Sequence, residues 1–376
     1  MRVNLALIIL VLSLTACSQA VKPLHQIPDE TIPPKWNVSA AKDSLVFSDS
    51  KQWEKLLADK QLKKLVEMAL MRSHELAIAK IVIQRSQLES GHTNTNRNPV
   101  YSAGATTSMT KEIGSDIPTQ RNHSVSITLN YELDLWGKLS KIRDAASWQV
   151  KANTYDYNGV KLSLIEKITS LFWNIAALNS NINNVRATII DRQRIQDIAI
   201  SRYNAGASGA SDVATAKSSL VSTKNTLVQL LQQREDRRSE LVSIIGQEVT
   251  ADLVSTYSLP TYSIPDIKLD IPMNVLAKRP DIAASDARVR SQLASYDAER
   301  VNLYPTASLS GSLSKSDQKY SNLFSGNPLG VAELNIALPF LEWKKLKLKR
   351  GISQTTYKEA LLQHNQLLRT VISEIN

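Results

Sequence analysis

Cysteine and histidine are scarce in this 376-residue chain, which limits the disulfides, metal sites and catalytic sites that it can form. Cys17 is the only cysteine, so the chain offers no second thiol for an internal disulfide or a redox pair. The histidines are scattered, and none is spaced with a carboxylate or a second histidine as a metal site requires; they are His25, His74, His92, His123 and His364. We therefore expect no enzyme activity, no catalytic residue and no metal.

The net charge alone does not identify a class of binding partner. The 45 Lys and Arg residues outnumber the 35 Asp and Glu residues, which gives a formal charge of +10 and could suggest nucleic acid as a partner. The basic residues are, however, mixed with acidic ones along segments with helical spacing. This mixture indicates solvated helix faces, and we expect no nucleic-acid partner.

Proline is absent from residues 137–259, which leaves room for unusually long helices. The pattern predicts one helix over residues 138–203 and a second over residues 211–246. Apolar residues follow the first of these at alternating gaps of three and four, close to the repeat of a coiled coil; they are Val160, Leu164, Ile168, Leu171, Ile175, Leu178, Ile182, Val185 and Ile189. The sequence therefore predicts a long antiparallel helical hairpin.

The tip of that hairpin falls in residues 203–209, where glycine interrupts the helical pattern. Gly206 or Gly209 suits the end of the first helix, and Ser211 with Asp212 suits the N-cap of the second. A turn with a capping aspartate is a sufficient structural explanation of this segment. A binding site at the tip is the functional alternative.

The N-terminus has the pattern of an exported lipoprotein. Arg2 precedes an apolar run too short to cross a bilayer, and Leu14, Ala16 and Cys17 form a lipobox-like Leu-x-Ala-Cys pattern. We expect residues 1–16 to be a signal peptide and Cys17 to carry diacylglycerol and palmitate. Ser18 in place of aspartate favours the outer membrane, and residues 17–50 predict either an extended tether or disorder.

Period-two alternation of apolar and polar residues predicts four strands. They are expected at residues 100–110, 123–135, 306–314 and 331–340, while residues 53–90 have the pattern of a helix. Strands of this length with one apolar and one polar face suit a tilted crossing of a bilayer. Four strands cannot close a barrel, so we expect the chain to oligomerise.

The strand and helix pattern occurs twice. Residues 70–79 align with residues 276–285 and Pro99 with Pro305 at an offset of 206, and Trp136 aligns with Trp343 at 207. These offsets predict repeat one at residues 51–250 and repeat two at residues 251–376. About 80 residues of repeat one have no counterpart in repeat two, so we expect the second repeat to be incomplete.

Four segments together resemble the outer-membrane efflux protein family, which is TolC-like. They are YELDLWGKL at residues 131–139, RYNAGASGASD at residues 202–212, RPDI at residues 279–282 and the lipobox. The lipoprotein components of RND-type tripartite pumps are the most similar branch. The sequence LEWKK at residues 341–345 departs from many relatives, which have a glycine-containing turn there.

This resemblance implies an α+β membrane protein in which long antiparallel coiled-coil helices continue into a transmembrane β-barrel shared by a homotrimer. It implies a passive outer-membrane channel that docks on a periplasmic adaptor and an inner-membrane RND-type transporter. The implied adaptor contact consists of Arg202, Tyr203, Gly206, Ser208 and Asp212, and Cys17 is the implied lipid anchor. The resemblance identifies no residue of a pore gate and no exported substrate.

Three aromatic residues, Tyr131, Trp136 and Trp343, fall where strands meet helices. We expect them in an aromatic girdle at the membrane interface, with ordinary packing at the junction as the alternative. Two other functions remain open from the sequence. A periplasmic coiled-coil adaptor or scaffold lipoprotein would share the lipobox and the hairpin, but it needs no amphipathic strands. The second alternative is that the chain is an inactive, truncated conduit.

Overall fold

The computed structural model describes residues 59–114, 116–246 and 278–375. The predicted signal peptide, the predicted acylation site Cys17 and the predicted tether lie outside the described residues. So do residues 51–58 at the start of the predicted first repeat and residues 251–277 at the start of the second.

Six helices and four strands alternate in blocks along these ranges. The helices are α1 (Lys60–Arg72), α2 (His74–Thr95), α3 (Lys138–Asn204), α4 (Ala210–Ile245), α5 (Pro280–Val301) and α6 (Trp343–Ile375). The strands are β1 (Val100–Thr110), β2 (Gln120–Leu133), β3 (Thr306–Asp317) and β4 (Leu329–Ala337). Short 3-10 turns occupy Tyr320–Asn322 and Pro339–Glu342. None of the helices within the described residues has a stretch long and apolar enough to cross a membrane.

The strands form one antiparallel sheet in the order β1-β2-β3-β4. Val100 lies opposite Asn130, Asn130 lies opposite Ser310, and Thr306 lies opposite Ala337. Strands β2 and β3 are therefore central although a helical hairpin separates them in the sequence. Strands β1 and β4 are the two edges of the sheet.

The chain divides into two compact units. One contains the sheet, α5 and α6, together with α2 from Ile83 onward and α3 up to Thr154. The other contains α1, the first part of α2, α4 and the rest of α3 from Tyr155 onward.

The unit with the helical hairpin has a core made by three helices. Leu62, Leu65 and Val66 of α1 are buried with the α3 residues Ile168 and Phe172. The remaining members come from α1, α3 and α4: Ala69, Leu164, Ile165, Leu171, Ile175, Leu241 and Ile245. The predicted heptad positions from Leu164 to Ile175 thus face this core, which explains why this part of α3 keeps the coiled-coil spacing.

The unit with the sheet has its own helical core between α5 and α6. The rings of Tyr296 and Tyr357 stack with centroids 6.5 Å apart, and Val289 and Leu361 pack around them. Helix α5 also touches the start of α3, because the Ser291 hydroxyl donates a hydrogen bond to the Ala145 carbonyl oxygen at 2.9 Å. Helix α5 is therefore held on two sides, by α3 and by α6.

Three local predictions are wrong. The helix expected over residues 53–90 is interrupted at Ser73, which adopts an extended backbone and accepts a hydrogen bond from the Leu76 N–H. The strand expected at residues 331–340 ends at Ala337, because Pro339 begins a 3-10 turn. The N-cap of α4 is Gly209, which makes no side-chain cap, so Ser211 and Asp212 lie inside the first turn.

Candidate functional site

One face of the sheet is apolar on all four strands. The register places Ala103 opposite Ile127, and Leu309 opposite both Tyr131 and Leu334, so the apolar positions of neighbouring strands coincide. This face is open in the single chain, where the side chains of Ile127 and Leu334 are 53% and 63% exposed. An exposed apolar surface that continues across four strands is typical of contact with lipid or with another protein.

The opposite face carries hydroxyl and amide groups. Ser102 and Thr128 share a hydrogen bond of 2.5 Å between their hydroxyls, and the Asn335 amide nitrogen donates to the Ser310 hydroxyl at 3.3 Å. Alternate positions of β2 and β3 continue this polar face with Ser124, Ser126, Ser308, Ser312 and Ser314. The sheet is therefore amphipathic, with one face suited to lipid and one suited to water.

The passage from β2 into α3 is fixed by Asp134. Its carboxylate accepts hydrogen bonds from the Leu139 N–H at 2.9 Å, and from the N–H and hydroxyl of Ser140 at 2.9 and 2.6 Å. Gly137 lies between them with φ of 74°, a conformation that L side chains rarely adopt. Only the four residues 134–137 therefore separate the end of the strand from the start of the long helix.

The same contacts set the ionisation of Asp134. Partial burial alone would raise its pKa, but the hydrogen bonds from Ser140 and Leu139, with the charge of Arg97, favour the carboxylate. The net effect is that the pKa of Asp134 lies below its ordinary value of 3.8. An aspartate shortly before a predicted helix is a recognisable capping signal, so the role of Asp134 could have been predicted from the sequence.

The three predicted aromatic residues have different environments. Tyr131 lies within β2 and is half-buried. The Trp136 indole nitrogen donates to the Pro305 carbonyl oxygen at 2.6 Å, and its ring lies 5.1 Å from that of Tyr304. Trp343 begins α6 and is 43% exposed, with the Lys347 ammonium 5.2 Å from its ring centre. Trp136 thus has a packing role, and Trp343 remains available at the surface.

The five predicted tip residues lie around one turn. Arg202 and Tyr203 lie in the last turn of α3, Gly206 has φ of 72°, and Asp212 is in the first turn of α4. The N–H of Gly206 donates to the Tyr203 carbonyl at 2.9 Å, and the N–H of Ala207 donates to the Arg202 carbonyl at 2.8 Å. These bonds close the end of α3 in the way that a left-handed glycine permits.

A groove of about 410 Å³ lies between the two helices beside this turn. Arg202, Ser208 and Asp212 line it together with Ile195 and Ile198. Within the described residues the buried Ser208 hydroxyl oxygen has no hydrogen-bond partner. The tip therefore presents exposed Tyr203 and charged groups next to a partly apolar groove.

The described residues hold no group of three His, Cys, Asp or Glu side chains placed to bind a metal ion.

The chain resembles known export proteins along most of its length. It is 28% identical over 332 residues to the toxin and drug export protein A of Aggregatibacter actinomycetemcomitans, covering 88% of this chain and 72% of that protein. It is 26% identical over 381 residues to the pyoverdine export outer membrane protein OpmQ of Pseudomonas aeruginosa, covering 99% and 80%.

Solved structures share the fold. The outer membrane channel CmeC of Campylobacter jejuni superposes with a TM-score of 0.79 at 22% identity, over 92% of this chain and 77% of that one. The family model described as outer membrane efflux protein matches residues 65–247 and 271–376. The resemblance seen in the sequence is thus confirmed, and the chain belongs to the outer membrane efflux protein family.

Proposed function

We propose that this protein is the outer-membrane channel subunit of a tripartite efflux pump, a passive conduit that carries drugs or other small solutes from the periplasm to the exterior. The observation that carries the proposal is the amphipathic sheet, whose apolar face is exposed and whose other face is lined with hydroxyls. The family and the export relatives support the same function.

The sheet has the dimensions that a membrane requires. Its strands contain 9 to 14 residues, and a tilted strand of about 9–11 residues crosses the hydrocarbon core. The apolar face would meet lipid, and the hydroxyl face would line a water-filled bore. Since hydrocarbon does not tolerate open sheet edges, three copies would join into one barrel of twelve strands.

The helical hairpin would extend the conduit into the periplasm. Its tip, with Arg202, Tyr203, Gly206, Ser208 and Asp212, would contact the periplasmic adaptor, which connects it to an inner-membrane RND-type transporter. Exposed tyrosine and arginine are the side chains that most often dominate the binding energy of interfaces. The transporter would supply the energy for transport. The conduit itself would be passive and would need no catalytic group.

Acylation of Cys17 would add a lipid anchor to the barrel. Diacylglycerol and palmitate on one cysteine supply several acyl chains, which is enough for stable membrane association without a transmembrane helix. The anchor would hold the N-terminus at the periplasmic side of the outer membrane.

The test is complementation. The full chain is expressed in a strain that lacks its own outer-membrane efflux subunit, and both outer-membrane fractionation and cellular accumulation of a fluorescent efflux substrate are measured. We expect the chain in the outer membrane and a lower accumulation of dye. Recovery of the chain as a soluble periplasmic protein, with dye accumulation unchanged, would overturn the proposal.

Two neighbouring residues give a matched control. Leu334→Arg places a charge on the apolar face and Asn335→Arg places the same charge on the polar face. A lipid-facing arginine costs about 2–4 kcal/mol near the bilayer midplane. We therefore expect the first variant to lose its place in the outer membrane and the second to keep it.

A further inference from the structure

The charged residues of the sheet are distributed unevenly between its two ends. Strands β1 and β3 follow a helix, and β2 and β4 lead into one, so the helices all join the sheet at the same end. The other end, here called the distal end, contains the end of β1 and the start of β2. The four strands contain two Lys or Arg residues, Arg121 of β2 and Lys315 of β3, and both lie at the distal end.

Both cationic residues belong to the apolar face. Arg121 lies opposite Met109, and Lys315 lies opposite Val125, which alternates with the polar positions of β2. The polar face of β2 and β3 at the distal end carries no charge; its residues are Gln120, Asn122, Ser124, Ser126, Ser314 and Ser316. A cation that served only solubility would suit the polar face, so the position of these two residues indicates a partner on the apolar side.

His123 lies between the two cations on the same face. It is two residues from Arg121 along β2, and Lys315 is its diagonal neighbour on β3. Diagonal neighbours of a sheet lie about 7–8 Å apart, a distance that long side chains bridge. Arg121, His123 and Lys315, here called the basic cluster, can therefore contact one small anionic group together.

The imidazole of His123 is held on two sides. Its Nδ1 shares a hydrogen bond of 3.1 Å with the Thr107 hydroxyl, and its ring meets that of Tyr320 edge-on with centroids 6.1 Å apart. When Nδ1 accepts from Thr107, Nε2 carries the ring proton and can donate to an anion.

The acidic residues nearby leave Arg121 without a counter-charge. Within the described residues Arg121 makes no hydrogen bond or ion pair, including with Glu112 or Asp116 of the adjoining loop. Asp317 lies opposite His123, but its carboxylate accepts hydrogen bonds from the Lys319 N–H at 2.9 Å and the Asn322 amide at 3.3 Å. The turn after β3 therefore holds the one carboxylate of this face.

The spacing along β2 places the basic cluster at the edge of the apolar surface. Arg121 is ten residues from Tyr131, which is about 34 Å along a strand and about 26 Å across a membrane at a tilt of about 40°. The apolar band of membrane barrels is about 25 Å tall. Tyr320 and Phe324, beside the distal end, are 69% and 80% exposed, as is typical of aromatic residues at a membrane interface.

We propose that the basic cluster binds the phosphate groups of a phosphorylated glycolipid in the outer leaflet, whose acyl chains lie on the apolar surface of β2 and β3. The inference rests on the proposed function, which places the apolar face in lipid and the helices in the periplasm. In that orientation the distal end lies in the outer leaflet.

The chemistry of the cluster suits a phosphate. The guanidinium of Arg121 can donate two parallel hydrogen bonds to phosphate oxygens, and Lys315 adds a point charge. The Lys315 ammonium lies 3.2 Å from the place that a β-carbon on Gly326 would take, so this side chain carries its charge toward the loop beyond β3. Since β2 and β3 are the central strands, the cluster lies within one chain and away from the edges of the sheet.

The test is a binding measurement on the full chain in detergent. The purified, delipidated chain is titrated with fluorescently labelled lipid A, an acylated disaccharide with two phosphates. We expect Arg121→Gln combined with Lys315→Gln to weaken binding by at least about tenfold. Arg121→Lys keeps the charge but loses the paired donors, so its affinity should lie between those of the unmodified chain and the double variant.

A matched control removes the same charge at the other end of the sheet. Lys141 and Lys344 are exposed near the starts of α3 and α6. Lys141→Gln combined with Lys344→Gln should bind the labelled lipid as the unmodified chain does. Circular dichroism in the same detergent checks that each variant is folded, and Arg121→Lys carries the test if the double variant is not.

Competitors separate the possible ligands. Unlabelled lipid A should displace the probe, whereas dephosphorylated lipid A, phosphatidylglycerol and inorganic phosphate at the same concentration should not. Displacement by the dephosphorylated lipid would overturn recognition of phosphate, and displacement by either of the other two would overturn the assignment to a glycolipid. Equal affinity of the double variant and the unmodified chain, or an equal loss in the control, would overturn the basic cluster as the site.

The binding result is independent of the proposed function. Lipid binding is measured on the purified chain, while dye accumulation and outer-membrane fractionation are measured in cells. A chain that binds lipid through the cluster but leaves dye accumulation unchanged would contradict the conduit alone. A chain that lowers dye accumulation but binds lipid equally with and without the cluster would contradict this inference alone.

Discussion

The indole nitrogen of Trp136 lies 2.6 Å from the carbonyl oxygen of Pro305, a residue 169 positions later in the sequence. This hydrogen bond joins the end of β2 to the start of β3, at the point where two helices leave the sheet. It adds a side-chain contact to the backbone pairing of β2 with β3, which joins the two halves of the sheet within one chain.

Trp136→Phe should lower the stability of the chain. The variant keeps an aromatic ring but removes the donor to the Pro305 carbonyl oxygen. A hydrogen bond of this kind contributes about 0.5–1.5 kcal/mol. The readout is the midpoint of thermal unfolding of the detergent-solubilised chain.

Trp343→Phe is the matched control, since Trp343 is 43% exposed at the start of α6. It should leave the unfolding midpoint nearly unchanged. Equal losses of stability in the two variants would argue against a contribution from the hydrogen bond between Trp136 and Pro305.

Asp134 should make the stability of the strand-to-helix junction depend on pH. Its folded-state pKa lies below the ordinary 3.8, so its contribution is fully present above that pH and is lost as the pH falls through the folded-state value. Asp134→Ala should cost about 1 kcal/mol at neutral pH, as for other helix caps. Thermal unfolding of the detergent-solubilised chain between neutral and acid pH measures both effects.

Asp116 provides the comparison for that experiment, because it lies exposed in the loop between β1 and β2. Asp116→Ala should leave the unfolding temperature unchanged at neutral pH. A loss of stability in Asp116→Ala as large as that in Asp134→Ala would mean that general charge effects, and not the cap, are being measured.

Phe172 should be among the most sensitive positions of the hairpin unit. Its side chain is fully buried between α1, α3 and α4. Phe172→Ala removes a large apolar side chain and leaves a cavity, at a cost of about 3–5 kcal/mol. Ile190→Ala in the same helix changes an exposed residue and should have little effect. Chemical denaturation followed by the helical circular dichroism signal compares the two variants.

Sequence patterns that repeat over many residues predicted this fold well. The alternation in β2 and the heptad spacing of α3 each involve enough positions for the buried face to be identified. The break at Ser73 depends on one backbone conformation, and a serine in a helical pattern gives no warning of it. The end of β4 before residue 340 could have been predicted from Pro339, whose missing N–H favours the end of a strand.

The candidate site was predictable in part for the same reason. The tip residues Arg202 to Asp212 are contiguous in the sequence, so their proximity follows from one turn. The partnership of Trp136 with Pro305 depends on the pairing of β2 with β3, which no local pattern specifies. The equal sequence offsets of the two halves indicated that the strands are related in pairs. Only the strand register shows that β2 lies beside β3.

Tyr203 should contribute to adaptor binding without supporting the hairpin. It is 49% exposed at the end of α3, and its side chain can be shortened without opening the core. We expect Tyr203→Ala to weaken capture of the purified adaptor by about tenfold, the effect of losing a modest hot spot of about 1.4 kcal/mol. Val221→Ala, at an exposed position further along α4, should bind normally. Equal binding by all three proteins would remove the tip from the proposed interface.

His364 should make the helical core beside the sheet sensitive to mild acid. Burial holds the pKa of this imidazole below its ordinary 6.5, although the charge of Asp286 acts in the opposite direction. The buried Nδ1 has no hydrogen-bond partner among the described residues. Because the folded state disfavours the imidazolium, stability should be constant above about pH 6.5 and fall as the pH drops below the unfolded-state pKa, until the folded-state pKa is passed.

His364→Leu should flatten this dependence, whereas His92→Leu, at an exposed position of α2, should leave it unchanged. An unfolding temperature that falls just as steeply in His364→Leu would assign the acid sensitivity to other groups, since the imidazole would then be absent.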